Sequence, residues 1–199
     1  MKVVVALTGA SGLVYGLRLL QVLWELGHSV IAVYTSASVE VAKHECLGTD
    51  FVGVVGRFAD EVYSDSDLWA PISSSSNMPD AGVVIPCSLH TLSEVARGGN
   101  SGLVARVANN LLRLRRPLVL VVRETPLSLP DLRNMVAASE AGAIILPASP
   151  AFYIRPSSVE EMIDFIVGKV LDVLGIEHGL YRRWGAINRR GPDPCARIS

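Results

Sequence analysis

Short apolar runs rich in β-branched residues alternate along the chain with longer segments in which apolar residues recur at helical spacing. We expect strands at residues 2–7, 29–34, 82–85, 118–122 and 143–146. Near-continuous apolar strands are typical of a parallel sheet whose two faces are both covered by helices. The pattern therefore predicts a single-domain α/β protein with a doubly wound, Rossmann-like (flavodoxin-like) parallel sheet.

Helical patterns lie between these runs at residues 13–26, 36–47, 103–114, 129–141 and 158–174. Gly27 follows the first pattern, where a glycine favours a helix end, and Ser158 with Glu160 opens the last in the manner of an N-cap. We expect residues 1–184 to form the domain and the polar residues 185–199 to form a loosely ordered tail.

The composition limits the partners that we expect. Half of the residues are hydrophobic, 19% are charged and the net charge is −1, which gives no reason to expect nucleic acid or an anionic membrane as a partner. No apolar run approaches the length of about 18 residues that a membrane span needs, so we expect a cytoplasmic protein. The apolar surplus favours buried contacts between subunits. Cys46, Cys87 and Cys195 lie far apart, which favours reduced thiols over disulfides or a zinc site.

Small and polar residues follow the first two predicted strands. In an open parallel sheet the ligand lies beyond the carboxyl ends of the strands. Thr8-Gly9-Ala10-Ser11-Gly12 opens a helix, where small residues and free N–H groups suit a phosphate. Its spacing matches neither GxGxxG nor a P-loop, and a tight structural turn is the alternative. Thr35-Ser36 stands where a dinucleotide site would have an acidic residue, which indicates a ligand without adenosine.

Three further segments follow the later strands. Pro86-Cys87-Ser88-Leu89-His90 offers the Ser88 hydroxyl and backbone N–H groups to a phosphate or a ring, and we interpret Cys87 as a buried thiol rather than a nucleophile. Arg123-Glu124 would meet a ligand or, alternatively, each other in a salt bridge. The segment 147–153 suits an apolar substrate tail with a polar head, and a proline-stiffened turn is the alternative.

The polar segment 65–80 interrupts the alternation of strands and helices. It carries Trp69, Ile72 and Met78 among serines and aspartates. A loop of this composition is usually functional or packed against a partner, and an ordinary surface connection is the alternative.

Taken together, these segments resemble the UbiX/Pad1-type flavin prenyltransferases, within the wider group of homo-oligomeric flavoproteins. The similarity extends from residue 2 to Trp184 and rests on several motifs in the same order and spacing. They are Gly9-Ala10-Ser11-Gly12 with Tyr15-Gly16, the serine run in 71–76, Pro86-Cys87-Ser88 with Thr91-Leu92, Arg115-Arg116-Pro117-Leu118-Val119-Leu120 leading into Arg123-Glu124-Thr125-Pro126, Pro150-Ala151-Phe152-Tyr153, Val170-Leu171-Asp172 and Arg183-Trp184.

The resemblance implies a homo-oligomer, usually a dodecamer, with FMN held where subunits meet. It implies a reaction that joins the dimethylallyl group of dimethylallyl phosphate to N5 and then to C6 of reduced FMN, without a metal. The product, prenylated FMN, would be delivered to a UbiD-type decarboxylase as its cofactor.

The resemblance also implies roles for individual residues. FMN contacts are implied for Gly9, Ala10, Ser11, Thr35, Cys87, Ser88, Leu89, His90 and Arg123. Tyr153 and Lys169 would hold the phosphate of the donor, with Arg106, Arg113 and Ser11 close by, and Trp69 would form an apolar wall that keeps out water. Glu45, Glu124 and Ser11 are the implied catalytic residues, and either Glu124 or the departing phosphate would accept the proton that leaves flavin C6.

Two positions depart from the family pattern, since Arg113 stands where many relatives have Lys and Lys169 where many have Arg. A planar guanidinium and a point-like ammonium hold phosphate differently, which leaves the monophosphate and the pyrophosphate open as donors.

Two other functions also stay open. An FMN-dependent cysteine decarboxylase would use a catalytic His near the second helix, where this chain has His44-Glu45. A non-catalytic FMN carrier would need no charged phosphate pocket.

Overall fold

The computed structural model describes residues 1–45 and 50–185, in which helices flank a six-stranded parallel sheet. The strands are β1 (Lys2–Leu7), β2 (Ser29–Tyr34), β3 (Glu61–Ser64), β4 (Ala81–Cys87), β5 (Leu118–Val122) and β6 (Ile144–Ile145). The helices are α1 (Leu13–Glu25), α2 (Ser36–Glu45), α3 (Phe51–Gly56), α4 (Leu89–Ala96), α5 (Leu103–Arg113), α6 (Leu129–Glu140) and α7 (Val159–Leu174).

The strands lie in the order β3-β2-β1-β4-β5-β6, and each pair of neighbours is parallel. The chain runs outward from β1 to β3, returns to the middle at β4 and runs outward again to β6. β1 pairs with β4 from Val3 opposite Ala81 to Ala6 opposite Val84, so the carboxyl ends of these two strands are neighbours. The predicted Rossmann-like, doubly wound sheet is confirmed. The order in which the chain adds strands reverses between β1 and β4, and this switch point is where such sheets bind ligands.

Helices cover both faces of the central strands because both faces are apolar. Val4 and Ala6 of β1 pack in one core with the apolar side of α5. Leu7 points to the opposite face, since side chains alternate along a strand, and there it lies against α1 at Gly16.

The boundaries of β1, β2 and β5 match the sequence prediction at both ends. β4 is longer than the predicted run 82–85, and β6 covers only two residues of the predicted 143–146. α3, α4 and β3 were not among the predicted helices and strands. Cys46, Cys195, the end of the predicted helix 36–47 and all but the first residue of the predicted tail 185–199 lie outside the described residues.

The structure divides into two compact units, Met1–Pro147 and Ala148–Ser199. The first unit contains the sheet and α1 to α6, and the second contains α7 with the segments on either side of it. The predicted domain, residues 1–184, extends over both units, and its extent stays a prediction. Among the described residues, no helix is long and apolar enough to cross a membrane.

Candidate functional site

A cleft of about 470 Å³ opens at the carboxyl edge of the sheet, within the unit Met1–Pro147. Its lining residues follow the strands β1 to β5. They are Gly9, Ala10, Thr35, Ser36, Ala37, Asp65, Ser88, Leu89, His90, Thr91, Arg123 and Glu124. The volume is typical of sites for small molecules, and the position is the one where open parallel sheets bind their ligands.

Thr8 joins the end of β1 to the turn that follows β4. Its hydroxyl donates a hydrogen bond to the carbonyl of Pro86 at 2.7 Å and accepts one from the N–H of Ser88 at 2.9 Å. Thr8 and Pro86 are buried, and Ser88 is half-buried. Thr8 therefore fixes Ser88 relative to Gly9. The sequence did not reveal this role, because the glycines and small residues of the motif were enough to predict a turn.

Replacement of Thr8 by valine should lower the free energy of unfolding by about 1–3 kcal/mol, because it removes the partner of the buried Pro86 carbonyl and of the half-buried Ser88 N–H. Thr8→Ser keeps the hydroxyl and should cost less. Urea unfolding of both variants at one protein concentration measures the difference. A valine variant as stable as the serine variant would contradict the role of the hydroxyl.

The glycine-rich turn after β1 is packed against α2. A side chain at Gly9 would meet the Cβ of Ala37 at 2.4 Å. The carboxylate of Glu45 accepts the N–H of Gly12 at 2.7 Å and the N–H of Leu13 at 3.0 Å. The prediction that the first N–H groups of this helix hold a phosphate is therefore wrong for these two donors, because Glu45 takes them with a charge that suits the helix dipole.

The start of α4 offers anion-binding groups to the cleft. Ser88 is the N-cap residue, and its hydroxyl accepts the N–H of Thr91 at 3.2 Å and lies 3.0 Å from the Thr91 hydroxyl. The N–H groups of Leu89 and His90 open the helix, and the first N–H groups of a helix have no acceptor within it. Of the two helix ends near the switch point, the start of α4 is therefore the better place for a phosphate.

β2 and β3 contribute Thr35 and Asp65 to the cleft. The Thr35 hydroxyl accepts the N–H of Ser38 at 3.1 Å at the start of α2. The Asp65 carboxylate accepts the N–H of Val104 at 2.8 Å, and its backbone carbonyl accepts the N–H of Leu103 at 2.8 Å. Asp65 thus connects the cleft to the start of α5. Sequence reasoning missed it as a cleft residue because it missed β3.

Arg123 and Glu124 follow β5, and both line the cleft. Arg123 donates from Nε to the backbone carbonyl of Ser11 at 3.0 Å, and its Nη1 lies 3.8 Å from Oε1 of Glu124. The side chains are 33% and 38% exposed, and an ion pair of this length in contact with solvent stabilises little. The salt-bridge alternative is therefore confirmed, and contact with a ligand stays a prediction for two residues that face the cleft.

Two residues expected to contact FMN do not line the cleft. The side chain of Cys87 is fully buried in the core, where burial raises its pKa to about 12. The predicted buried thiol is confirmed, and the predicted FMN contact by this side chain is not supported. Ser11 is exposed and gives its carbonyl to Arg123.

The residues expected near the donor phosphate on the first unit do not line this cleft either. Arg113 donates to the side-chain oxygen of Asn110 at 2.7 Å, and Asn110 donates to the carbonyl of Ser73 at 3.1 Å, so Arg113 is linked to the serine run. Arg106 has its Nε buried without a hydrogen-bond partner among the described residues. Trp69 is 96% exposed.

Tyr153 and Lys169 lie in the second unit, Ala148–Ser199, and both contact Phe165. The rings of Tyr153 and Phe165 meet edge-on at a centroid distance of 5.9 Å, and the Lys169 ammonium lies 5.5 Å from the Phe165 centroid. Tyr153 also meets Trp184 edge-on at 5.1 Å. The interaction with Tyr181 raises the pKa of Lys169, which keeps the side chain cationic. The two predicted phosphate-binding residues of this unit therefore share one aromatic cluster.

No group of three or more His, Cys, Asp or Glu side chains is placed to hold a metal ion within residues 1–45 and 50–185. The groups that line the cleft are hydroxyl groups, backbone N–H groups, one imidazole, one guanidinium and two carboxylates. This donor set suits an organic phosphate.

Comparison with known protein families also indicates a ligand that carries a phosphate. The sequence model of the Flavoprotein family matches residues 1–171, which include the whole sheet and every residue that lines the cleft. The fold and the cleft are those of a flavoprotein.

Individual relatives narrow the class. The flavin prenyltransferase UbiX of Saccharolobus solfataricus is 42% identical over 185 residues, which cover 92% of either chain. The crystal structure of AnUbiX (PadA1) with FMN and dimethylallyl pyrophosphate is 40% identical, with a TM-score of 0.89 over 94% of this chain and 98% of that one. A dodecameric FMN-dependent UbiX-like decarboxylase from Escherichia coli is 39% identical, with a TM-score of 0.87 over 92% and 99% of the two chains. The chain belongs to the UbiX family of flavin prenyltransferases.

Proposed function

We propose that this protein transfers the dimethylallyl group of dimethylallyl phosphate to reduced FMN and so forms prenylated FMN. The observation that carries the proposal is the cleft at the switch point of a sheet that belongs to this family. Apart from Ser11 and Cys87, the implied FMN contacts all line it: Gly9, Ala10, Thr35, Ser88, Leu89, His90 and Arg123.

The cleft has groups that fit each part of FMN. The N–H groups at the start of α4 and the Ser88 hydroxyl suit a dianionic phosphate. Thr35 and Asp65 can hydrogen-bond to the hydroxyl groups of the ribityl chain. The small residues Gly9 and Ala10 let the backbone approach a flat ring, and Arg123 can donate to the ring's polar edge.

The chain supplies cations for the donor phosphate. When the allylic C–O bond of the donor breaks, negative charge grows on the phosphate, and preorganised cations and hydroxyl groups stabilise it by several kcal/mol. We assign this role to Lys169 and Tyr153, with Arg106, Arg113 and the Ser11 hydroxyl as further donors. Reduced FMN, when bound, supplies the electron-rich ring positions that the prenyl group joins.

Two carboxylates have separate roles in the proposal. Glu45 binds the N–H groups of Gly12 and Leu13 and so orients the turn that carries Ser11. Glu124 is exposed at the cleft, where its carboxylate can accept the proton that must leave flavin C6. The departing phosphate is the alternative acceptor.

We further propose that the protein works as a homo-oligomer, a dodecamer like its relative from Escherichia coli, with the cleft close to a subunit contact. Exposed apolar residues support this assembly: Trp69 on the loop after β3, and Leu129, Leu132 and Val136 along one face of α6. In this arrangement Trp69 shields a cleft from water. Delivery of the product to a UbiD-type decarboxylase and a cytoplasmic location remain predictions.

The test is to mix the protein anaerobically with reduced FMN and dimethylallyl phosphate and to weigh the extracted flavin by mass spectrometry. We expect a flavin heavier by one C5 prenyl unit. A parallel reaction with dimethylallyl pyrophosphate decides between the two donors.

Two other outcomes point to the alternative functions. Unmodified FMN with both donors, in a protein that binds FMN, would contradict the prenyltransferase. Decarboxylation of a peptide with a carboxy-terminal cysteine would then identify a cysteine decarboxylase, and its absence would leave a carrier of FMN.

A further inference from the structure

Two motifs of the sequence, Val170-Leu171-Asp172 and Arg183-Trp184, have no role in the proposed reaction so far. The structure connects them through Asp172, which is half-buried near the end of α7. Its Oδ1 accepts hydrogen bonds from Nη2 of Arg183 at 2.8 Å and from Nε2 of His178 at 3.1 Å. Its Oδ2 accepts one from the Tyr181 hydroxyl. Asp172 therefore holds three side chains of the segment that follows α7.

The hydrogen bonds of His178 define its neutral tautomer. The N–H of Leu180 donates to Nδ1 of His178 at 3.2 Å, so Nδ1 must carry a lone pair. In the neutral ring the proton is then on Nε2, which donates it to Asp172. The imidazole is thus a fixed bridge between α7 and the backbone of the following segment.

Gly168 allows this segment to lie close to α7. A side chain at Gly168 would meet the Tyr181 ring at 2.5 Å and Cε1 of His178 at 2.8 Å. Since only a glycine leaves that space, the sequence of α7 is adapted to hold Tyr181 against the helix. The position of Tyr181 is therefore set on one side by Gly168 and on the other by Asp172.

Tyr181 in turn sets the position of Lys169. The ammonium of Lys169 lies 4.9 Å from the centroid of the Tyr181 ring and 3.7 Å from Oδ2 of Asp172. The second distance exceeds that of a hydrogen bond, so Asp172 attracts the ammonium without taking one of its N–H donors. A ring face and a nearby carboxylate together hold the flexible lysine in one place.

The protonation states agree with this geometry. Burial opposes ionisation of Asp172, but the hydrogen bonds from Tyr181, Arg183 and His178 outweigh burial and lower its pKa. The interaction with Tyr181 raises the pKa of Lys169. Both groups are therefore charged at neutral pH.

We propose that Asp172 is a positioning residue that, through Tyr181 and Arg183, holds the Lys169 ammonium and the Trp184 end of the segment in place for the phosphate of the prenyl donor. This inference rests on the proposed function, since it gives Lys169 the donor phosphate as its ligand. Asp172 is suited to the role because its oxygens already accept three hydrogen bonds. Asp172 takes none of the N–H donors of Lys169 and the Tyr181 hydroxyl engages one, so the ammonium keeps further donors for a phosphate that approaches it.

The kinetic test compares Asp172→Asn with Glu177→Gln. Both changes remove one negative charge at nearly constant shape, but Glu177 is exposed in the same segment. With reduced FMN at saturation, Asp172→Asn should raise the KM for dimethylallyl phosphate about tenfold and change kcat less than about threefold. Glu177→Gln should change neither constant. A parental KM in Asp172→Asn, or a loss confined to kcat, would overturn the inference.

A spectroscopic test reports on Lys169 without turnover. The chain has only three lysines, Lys2, Lys43 and Lys169, so reductive ¹³C-methylation gives few signals, and Lys169→Arg identifies the one of interest. Methylation keeps the positive charge. The Tyr181 ring should shift the Lys169 signal, and Asp172→Asn should move it towards the signals of Lys2 and Lys43. An unmoved signal would contradict the positioning role.

Two further comparisons separate the possible failures. Tyr181→Phe keeps the ring and removes the hydroxyl that bonds to Asp172 and interacts with Lys169, so it should change the KM in the same direction even if Asp172→Asn folds poorly. If the parent forms no prenylated flavin but its Lys169 signal depends on Asp172, the proposed reaction fails and the positioning of Lys169 stands. If the parent is active but the chemical shift of its Lys169 signal does not change when dimethylallyl phosphate is added, the positioning inference alone fails.

Discussion

Glu124→Gln should slow prenyl transfer by about 10²- to 10⁴-fold, the usual contribution of a positioned general base. The carboxylate is exposed at the cleft, and glutamine keeps its shape but cannot accept the proton. FMN affinity should change less than about fivefold, because the pair with Arg123 is long and open to solvent. Single-turnover rates of prenylated flavin formation and quenching of flavin fluorescence on binding measure the two quantities.

Glu25→Gln is the matched control for this prediction. Glu25 is an exposed carboxylate at the end of α1, so its change removes the same charge away from the cleft. Its rate and affinity should equal those of the parent. A Glu124→Gln rate within a factor of about three of the parent would assign the proton transfer to the departing phosphate instead.

The strands in the middle of the sheet were predictable because their environment leaves a simple pattern in the sequence. β1, β2 and β5 are buried on both faces, so nearly every position is apolar and the run ends where the strand ends. β3 lies at the sheet edge and reads Glu61-Val62-Tyr63-Ser64, each half-buried. Such a strand has no continuous apolar run. α3 was missed for a similar reason, since it has six residues and two of them are glycine.

Much of the cleft was predictable from topology alone. The residues that follow parallel strands meet at one edge, so Gly9, Thr35, Ser88 and Arg123 were expected together, and the structure brings them together. Asp65 was missed because its strand was missed. Contact of these residues with FMN stays a prediction.

The charge and burial of individual side chains were less predictable. The sequence offers the first N–H groups of α1 to any anion, and only the structure shows that Glu45, 33 residues from Gly12 along the chain, takes two of them. Cys87 was expected both as a buried thiol and as an FMN contact; its burial confirms the first, and the second stays a prediction. Trp69 is 96% exposed, and its role as an apolar wall stays a prediction.

Gly16→Ala should lower the free energy of unfolding by about 1–3 kcal/mol and also weaken FMN binding. Gly16 lies on the buried face of α1, where a methyl group would come within 2.4 Å of both the carbonyl oxygen of Ile85 and Cδ2 of Leu7. The leucine can change rotamer, but the carbonyl belongs to β4, so α1 must move away from the sheet. Ile85 leads directly into Pro86 and Ser88, and this shift therefore reaches the proposed phosphate site.

Gly56→Ala is the control, because Gly56 is also a helical glycine but a methyl group there meets nothing within 4 Å. Alanine restricts the unfolded chain and favours the helix, so this variant should be more stable by about 0.5–1 kcal/mol. Urea unfolding at a fixed protein concentration and flavin fluorescence give both readouts for both variants. If Gly16→Ala lowers the free energy of unfolding and Gly56→Ala raises it, the role of Gly16 is to let α1 pack closely on β4. If both variants were more stable than the parent, α1 could move away from the sheet without cost. The position of Ser88 would then not depend on the packing of α1.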